Sequence, residues 1–120
     1  MPSQITAIVP HWNRAELLDR LLSSLTAQTL PPERVLIADN NSTDLSDQVA
    51  ARFGAEFLPS LSNQGFARAV NRGLAAASTP WVAILNNDVQ LDPRCLQLLR
   101  DHAESAKAAF AAPRLLQAAN

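Results

Sequence analysis

Short apolar runs punctuate the chain, and between them apolar residues recur at helical spacing. Ile5-Thr6-Ala7-Ile8-Val9 is β-branched and is stopped by Pro10, which predicts a buried first strand. From Asn13 the pattern turns helical. Asn13 is placed to cap, Glu16 follows three residues on as in a capping box, and Leu18, Leu21, Leu22 and Leu25 form one stripe that ends before Pro31-Pro32. Arg34 to Asp39 reads as a second strand, and Asn40-Asn41-Ser42-Thr43 supplies turn residues. A second helix carries Leu45, Val49 and Phe53, with Gly54 at the expected left-handed end, and a short third strand runs from Ala55 to Leu58. After a polar loop from Pro59 to Gly65, the stripe Phe66, Val70, Leu74 and Ala77 predicts a third helix. Trp81 to Leu85 is a fourth strand, ending abruptly in Asn86-Asn87-Asp88. Asp92-Pro93 then opens a helix to about Ala106 with Leu96, Leu99 and Ala103 inward, and Phe110 to Leu116 is expected as a last strand. Strands without polar alternation, alternating with helices, predict an α/β doubly wound, mostly parallel sheet covered on both faces.

A chain of 120 residues is the length of one domain, and 48% apolar against 18% charged residues suffices to bury a core. Residues 1–120 are therefore read as a single domain. A formal charge of -1 provides no basic field for nucleic acid or anionic lipid, so neither is expected as a partner. The lone Cys95 excludes an intramolecular disulfide, and Met1-Pro2-Ser3-Gln4 lacks the features of a signal peptide. No apolar run approaches the roughly 18 residues of a transmembrane span. The chain reads as cytoplasmic, with any attachment at the inner membrane face made through partners.

In sheets of this kind ligands bind beyond the carboxyl ends of the strands, where strand order reverses. Pro10-His11-Trp12-Asn13, Asp39-Asn40-Asn41-Ser42 and Asn86-Asn87-Asp88 all fall at such ends. The segment Asn63-Gln64-Gly65-Phe66-Ala67-Arg68 adds backbone donors and one cation able to face a phosphate. Asp39 can accept hydrogen bonds from a base edge or ribose hydroxyls, or simply hold a turn. Asn13, Ser42 and Asp44 serve either as helix caps or as ligand contacts. Trp12 is a core, lid or base-stacking residue. Asp88 offers a hard oxygen suited to Mg²⁺ or Mn²⁺, ions that take few carboxylates and share their ligand's phosphates. His11 and His102 have no zinc-like spacing with Cys95, and neither a GxSxG elbow nor a GxGxxG or Walker loop occurs. These absences argue against zinc, hydrolase and glycine-rich nucleotidyltransferase chemistry.

Taken together, Ile5 to Asn13, Val35 to Asp44 with its DNNSTD, Asn63 to Gly73 with its NQGFARAVNRG, and Leu85-Asn86-Asn87-Asp88 resemble the family 2 glycosyltransferases, most of all their rhamnosyltransferase-like branch. The resemblance implies a GT-A fold and an inverting transfer of a sugar from a UDP-, dTDP- or GDP-linked donor to a sugar or lipid-linked acceptor, of the kind used in polysaccharide biosynthesis. It implies a divalent ion, Mg²⁺ or Mn²⁺, on the donor's diphosphate. Pro10, Trp12 and Asp39 then look like the nucleobase-facing group, and Asn13, Asn41, Ser42, Asn63, Gly65, Arg68 and Asn87 like its neighbours along the nucleotide. Asn86 and Asp88 resemble the outer positions of a DxD-type motif, and Asn86 departs from it by bringing no charge, which weakens a metal site. Family members usually continue for about as many residues again, where the resemblance places the acceptor pocket and the catalytic base. No catalytic residue is therefore nominated within this sequence, and the isolated chain is expected to bind donor with little transfer. The competing reading is a noncatalytic remnant or assembly module that self-associates as a homodimer or pairs with another chain through a bare sheet edge.

Overall fold

The computed structural model describes residues 2–116. Its elements run β1 (Ile5–His11), α1 (Ala15–Thr26), β2 (Arg34–Asp39), α2 (Ser46–Arg52), β3 (Glu56–Leu58), α3 (Phe66–Ala76), β4 (Trp81–Ile84) and α4 (Cys95–Ser105). The four strands pair in parallel in the order β3-β2-β1-β4. Strand order thus reverses at β1, between β2 on one side and β4 on the other. This is the expected α/β architecture, and two helical layers cover most of it.

On one face Ile5, Ala7 and Val9 of β1 and Ile37 of β2 pack with Leu18, Leu21, Leu22 and Leu25 of α1, Val49 and Ala50 of α2, and Leu96 of α4. On the other face α3 lies against β1 and β2. Its buried side is Ala69, Val70 and Gly73, whereas Phe66 and Leu74 of the predicted stripe are exposed. Small residues bring this helix close to the sheet: a Cβ on Gly73 would stand 2.4 Å from Ile8 Cγ2. Helix α3 does not extend over β4. Val82 and Ile84, in register with Thr6 and Ile8, therefore remain 38% and 48% exposed, and the sheet is not covered on both faces there.

Pro10 lies inside β1, paired with Ala38, and the strand continues to His11. The Gln4 and Ile8 carbonyls accept from Trp81 and Leu85, while those of Ile5 and His11 accept from Glu33 and Asn40. Even-numbered peptides thus face β4, and the N–H that Pro10 lacks falls beyond the last β4 residue paired with β1, Ile84.

The expected capping box is absent. Asn13 and Arg14 both adopt positive φ, α1 has no cap from its own segment, and Glu16 pairs with Arg14 instead. Leu45 precedes α2 and is exposed, while Gly54 does take the left-handed conformation predicted for it. Asp92 accepts from the Arg94 N–H in a turn before α4, which starts only at Cys95. The first turn of α4 is held by buried Gln28, whose Oε1 accepts the Leu96 N–H at 3.0 Å. Residues 110–116 form no strand; Phe110, Leu115 and Leu116 are exposed and no described residue pairs with them as a strand. The last residues of the alanine-rich tail, 117–120, lie outside the described residues.

Candidate functional site

The carboxyl ends of all four parallel strands open toward one end of the sheet, and side chains stitch them to one another. The Asn13 N–H donates to Ser42 Oγ at 2.7 Å, and Asn13 Oδ1 accepts the Thr43 N–H at 2.8 Å. The β1 and β2 ends are thereby fixed together, which explains the left-handed backbone at Asn13 and Asn41, residues that tolerate it. Asn13 and Ser42 thus bond the facing strand end instead of capping a helix.

Asp39 is 2% exposed, and its two carboxylate oxygens accept from the Ser42 N–H and the Ser42 hydroxyl. It is the anchor of this turn. A carboxylate has roughly four acceptor sites, so Ser42 leaves about two for another donor. Asp44 is the cap of two helices: Oδ2 accepts the Ala15 N–H of α1 at 3.0 Å, and Oδ1 accepts the N–H and hydroxyl of Ser46 at the start of α2. Burial pushes its carboxyl upward, but the Ser46 hydroxyl, the Ala15 and Ser46 N–H groups and the nearby His11 outweigh this and hold it below the ordinary value.

Asn40, buried after β2, reaches the third strand's loop. Its Nδ2 donates to the Gly65 carbonyl at 3.1 Å and its Oδ1 faces the Gln64 N–H. Gly65 takes φ 87°, which a glycine adopts freely, and passes directly into α3. Arg72 of α3 donates to the carbonyls of Asp39 at 2.9 Å and Leu58 at 3.1 Å, clamping the β2 and β3 ends. Asn63 and Arg68 are exposed beside them.

After β4, Asn87 turns inward and places Nδ2 3.1 Å from Nδ1 of His11, whose Nε2 lies 2.8 Å from Ser46 Oγ. Asn86 and Asp88 face outward and are exposed. Among the described residues no three His, Cys, Asp or Glu side chains gather as a metal cluster. One carboxylate and one amide oxygen fit a hard ion that draws its other ligands from phosphate and water, and would not hold an ion unaided. Trp12 stands 52% exposed at the rim, which excludes a core role, and Pro10 is buried in β1.

The structure thus brings Pro10, Trp12, Asn13, Asp39, Asn41, Ser42, Gly65 and Asn87 to one sheet end, with Asn63, Asn86 and Asp88 on its surrounding loops and Arg68 in the first turn of α3. Sequence reasoning placed His11 and Asn40 at strand ends and Arg72 within the Asn63–Gly73 segment but gave none of the three a role, beyond setting His11 aside as a zinc ligand. A polar residue beside an apolar strand end was the available signal for His11 and Asn40; Arg72 offered none, since it reads as a solvated helix face.

Comparison with known proteins bears on the same region. The profile described as Glycosyl transferase family 2 matches residues 6–118. An N-acetylglucosaminyl-diphospho-decaprenol L-rhamnosyltransferase of Mycobacterium tuberculosis is 38% identical over 99 residues, covering 72% of this chain and 32% of that protein. TarS of S. aureus, solved in complex with UDP-GlcNAc, superposes with a TM-score of 0.80 at 20% identity, over 95% of this chain and 37% of that one. A mannosyltransferase from Pyrobaculum calidifontis, in complex with GDP-Man and Mn²⁺, gives a TM-score of 0.70 at 26% identity, over 76% of this chain and 29% of that one. The chain spans between 23% and 38% of the length of the curated relatives it matches. With the family profile running over nearly all of its length and its parallel sheet shared with GT-A transferases, the chain belongs to glycosyl transferase family 2.

Proposed function

We propose that residues 1–120 form one nucleotide-diphospho-sugar-binding domain and supply the donor site of an inverting glycosyltransferase. The observation that carries this reading is the stitching of three polar strand ends and the loop after β3 into one surface at the point where strand order reverses, where α/β sheets bind ligands. Trp12 offers a ring face to the nucleobase, and the free acceptor sites of Asp39 suit a base N–H or a ribose hydroxyl. Arg68 and the backbone donors around Gly65 suit the diphosphate. Asp88, with Asn86, would hold the Mg²⁺ or Mn²⁺. When bound, that ion offsets the charge of the departing diphosphate. Relatives bear on the ligand class: TarS is solved with UDP-GlcNAc, the mannosyltransferase with GDP-Man and Mn²⁺, and the rhamnosyltransferase's name carries a lipid-linked acceptor. The acceptor hydroxyl must lose its proton to a base within hydrogen-bond reach, and no residue here is assigned that role.

A noncatalytic assembly module is the weaker reading. Trp12, Asn41, Arg68 and Asp88 stand exposed around the site end, so none of the described residues covers it. Calorimetric titration of the chain with UDP, dTDP and GDP, with and without Mn²⁺, tests the proposal. One nucleotide is expected to bind, more tightly with Mn²⁺. Asp88→Ala should lose the Mn²⁺ enhancement, and Asp39→Ala should weaken binding even without metal. A folded chain that ignores all three nucleotides at millimolar concentration refutes the donor-site reading.

A further inference from the structure

His11 is 2% exposed and sits where β1 ends, at the reversal of strand order. Its two ring nitrogens touch two different loops. Nδ1 meets Asn87, 76 residues away in sequence, and Nε2 meets Ser46, 35 residues away. The Asn87 amide nitrogen can only donate, so Nδ1 is the acceptor and the ring proton belongs on Nε2. Nε2–H then donates to Ser46 Oγ, and the Ser46 hydroxyl donates to Asp44, the residue that caps α1 and α2. Every bond in this chain therefore runs in one direction, from Asn87 to Asp44. Ser46 is fully buried, so water does not substitute readily for either partner.

We propose that His11 is a positioning residue of the donor site: its ring holds the Asn86-Asn87-Asp88 loop in register with the turn formed by Asp39, Ser42 and Asp44. This inference rests on the donor-site reading for its consequence, since the loop carries Asp88. Asp88 is the only carboxylate of its Asn86-Asn87-Asp88 loop, so an ion shared with a diphosphate depends on how accurately that one group is placed. The ring suits the task because it is rigid, spans two loops and offers an acceptor and a donor on opposite sides. A threonine or valine could fill the strand end but could not bridge both loops.

The test compares wild type with His11→Phe, which keeps the ring and loses both nitrogens, and His11→Gln, which restores one acceptor and one donor. Mn²⁺ binding is followed by electron paramagnetic resonance in the presence of whichever of UDP, dTDP or GDP binds wild type. Removal of groups that orient metal ligands typically costs about 10–100-fold in metal affinity. His11→Phe should fall in that range while its metal-free nucleotide affinity stays within about twofold, and His11→Gln should recover most of the loss. Simple misfolding would lower both affinities together and would not be rescued by Gln. A folded His11→Phe with undiminished Mn²⁺ affinity overturns the proposal. If wild type binds neither nucleotide nor Mn²⁺, the donor-site reading fails, and hydrogen exchange of residues 86–90 decides the bridge by itself. Faster exchange in His11→Phe sustains the bridge; unchanged exchange refutes it.

Discussion

At the scale of single residues, the site end is held by polar groups whose protonation the fold has biased: buried His11 and exposed Asp44. Burial pushes the His11 imidazole below its ordinary value near 6.5, against the pull of Asp39, Asp44 and Glu16. As pH falls below about 6.5 the unfolded chain takes up a proton that the folded one resists, so stability falls. Asp44 is held below its ordinary value near 3.8, so its contribution is present above that pH and is lost as pH drops through the lower folded value. Acid thus destabilises the protein in two separate windows. Thermal unfolding midpoints should decline from pH 7 to 5 in wild type, and His11→Phe should flatten that decline whatever its midpoint at pH 7. An unflattened slope would assign the titration elsewhere. Asp44→Ala should cost about 2 kcal/mol by denaturant unfolding, the upper end of the range for a helix cap, because two helix starts lose an acceptor. A loss under about 0.5 kcal/mol would mean that water replaces it at both helices.

At the scale of elements, α3 shows what a hydrophobic pattern conveys and what it omits. The repeat Phe66, Val70, Leu74, Ala77 announces a helix correctly but points to the wrong face, since the sheet is met by Ala69, Val70 and Gly73. Counting apolar side chains gives no credit to a glycine, although here its missing Cβ sets the closeness of the layers. Gly73→Ala gains about 1 kcal/mol of helix propensity but places a methyl 2.4 Å from Ile8 Cγ2, and strain of about 3 kcal/mol outweighs it. A net loss of about 2 kcal/mol is expected in chemical denaturation. Ile8→Leu, which removes the clashing Cγ2, should recover part of that loss in the double variant, and strictly additive losses would refute the contact. The same distinction governs the site. The placement of Asp39, Asn41 and Asp88 at the sheet end was legible because polar residues stand out where apolar strands stop. The links from Asn13 to Ser42, Ala15 to Asp44 and His11 to Asn87 were not, because each joins positions 29 or 76 residues apart and depends on strand register. The Asn13–Glu16 capping box failed for the same reason: a distant carboxylate had already taken the first free N–H of α1.

At the scale of the whole molecule, the sheet order decides which surfaces stay open. An apolar run such as Trp81-Val82-Ala83-Ile84 reads alike whether it is central or marginal, and here it is marginal. Trp81 and Ala83 pack against the core, while Val82 and Ile84 lie on the α3 side and stay exposed, with no helix of the described residues covering them. A strand with an unpaired edge and an apolar open face is a template for another strand. The other margin, β3, is only three residues long and carries exposed Glu56, which forms a two-bond pair with Arg34; a short, charged edge is poorly suited to recruitment. Association of this chain with itself should therefore run through β4. Sedimentation velocity at rising protein concentration is expected to show reversible association of wild type, and Val82→Lys should suppress it by placing a charge on the open face. Because Val82 already meets solvent and lies away from the strand ends, the substitution should change unfolding free energy by no more than about 0.5 kcal/mol and leave nucleotide affinity unaltered. Association that persists in Val82→Lys would move the contact off this face, and a wild type that stays monomeric would refute self-association through β4.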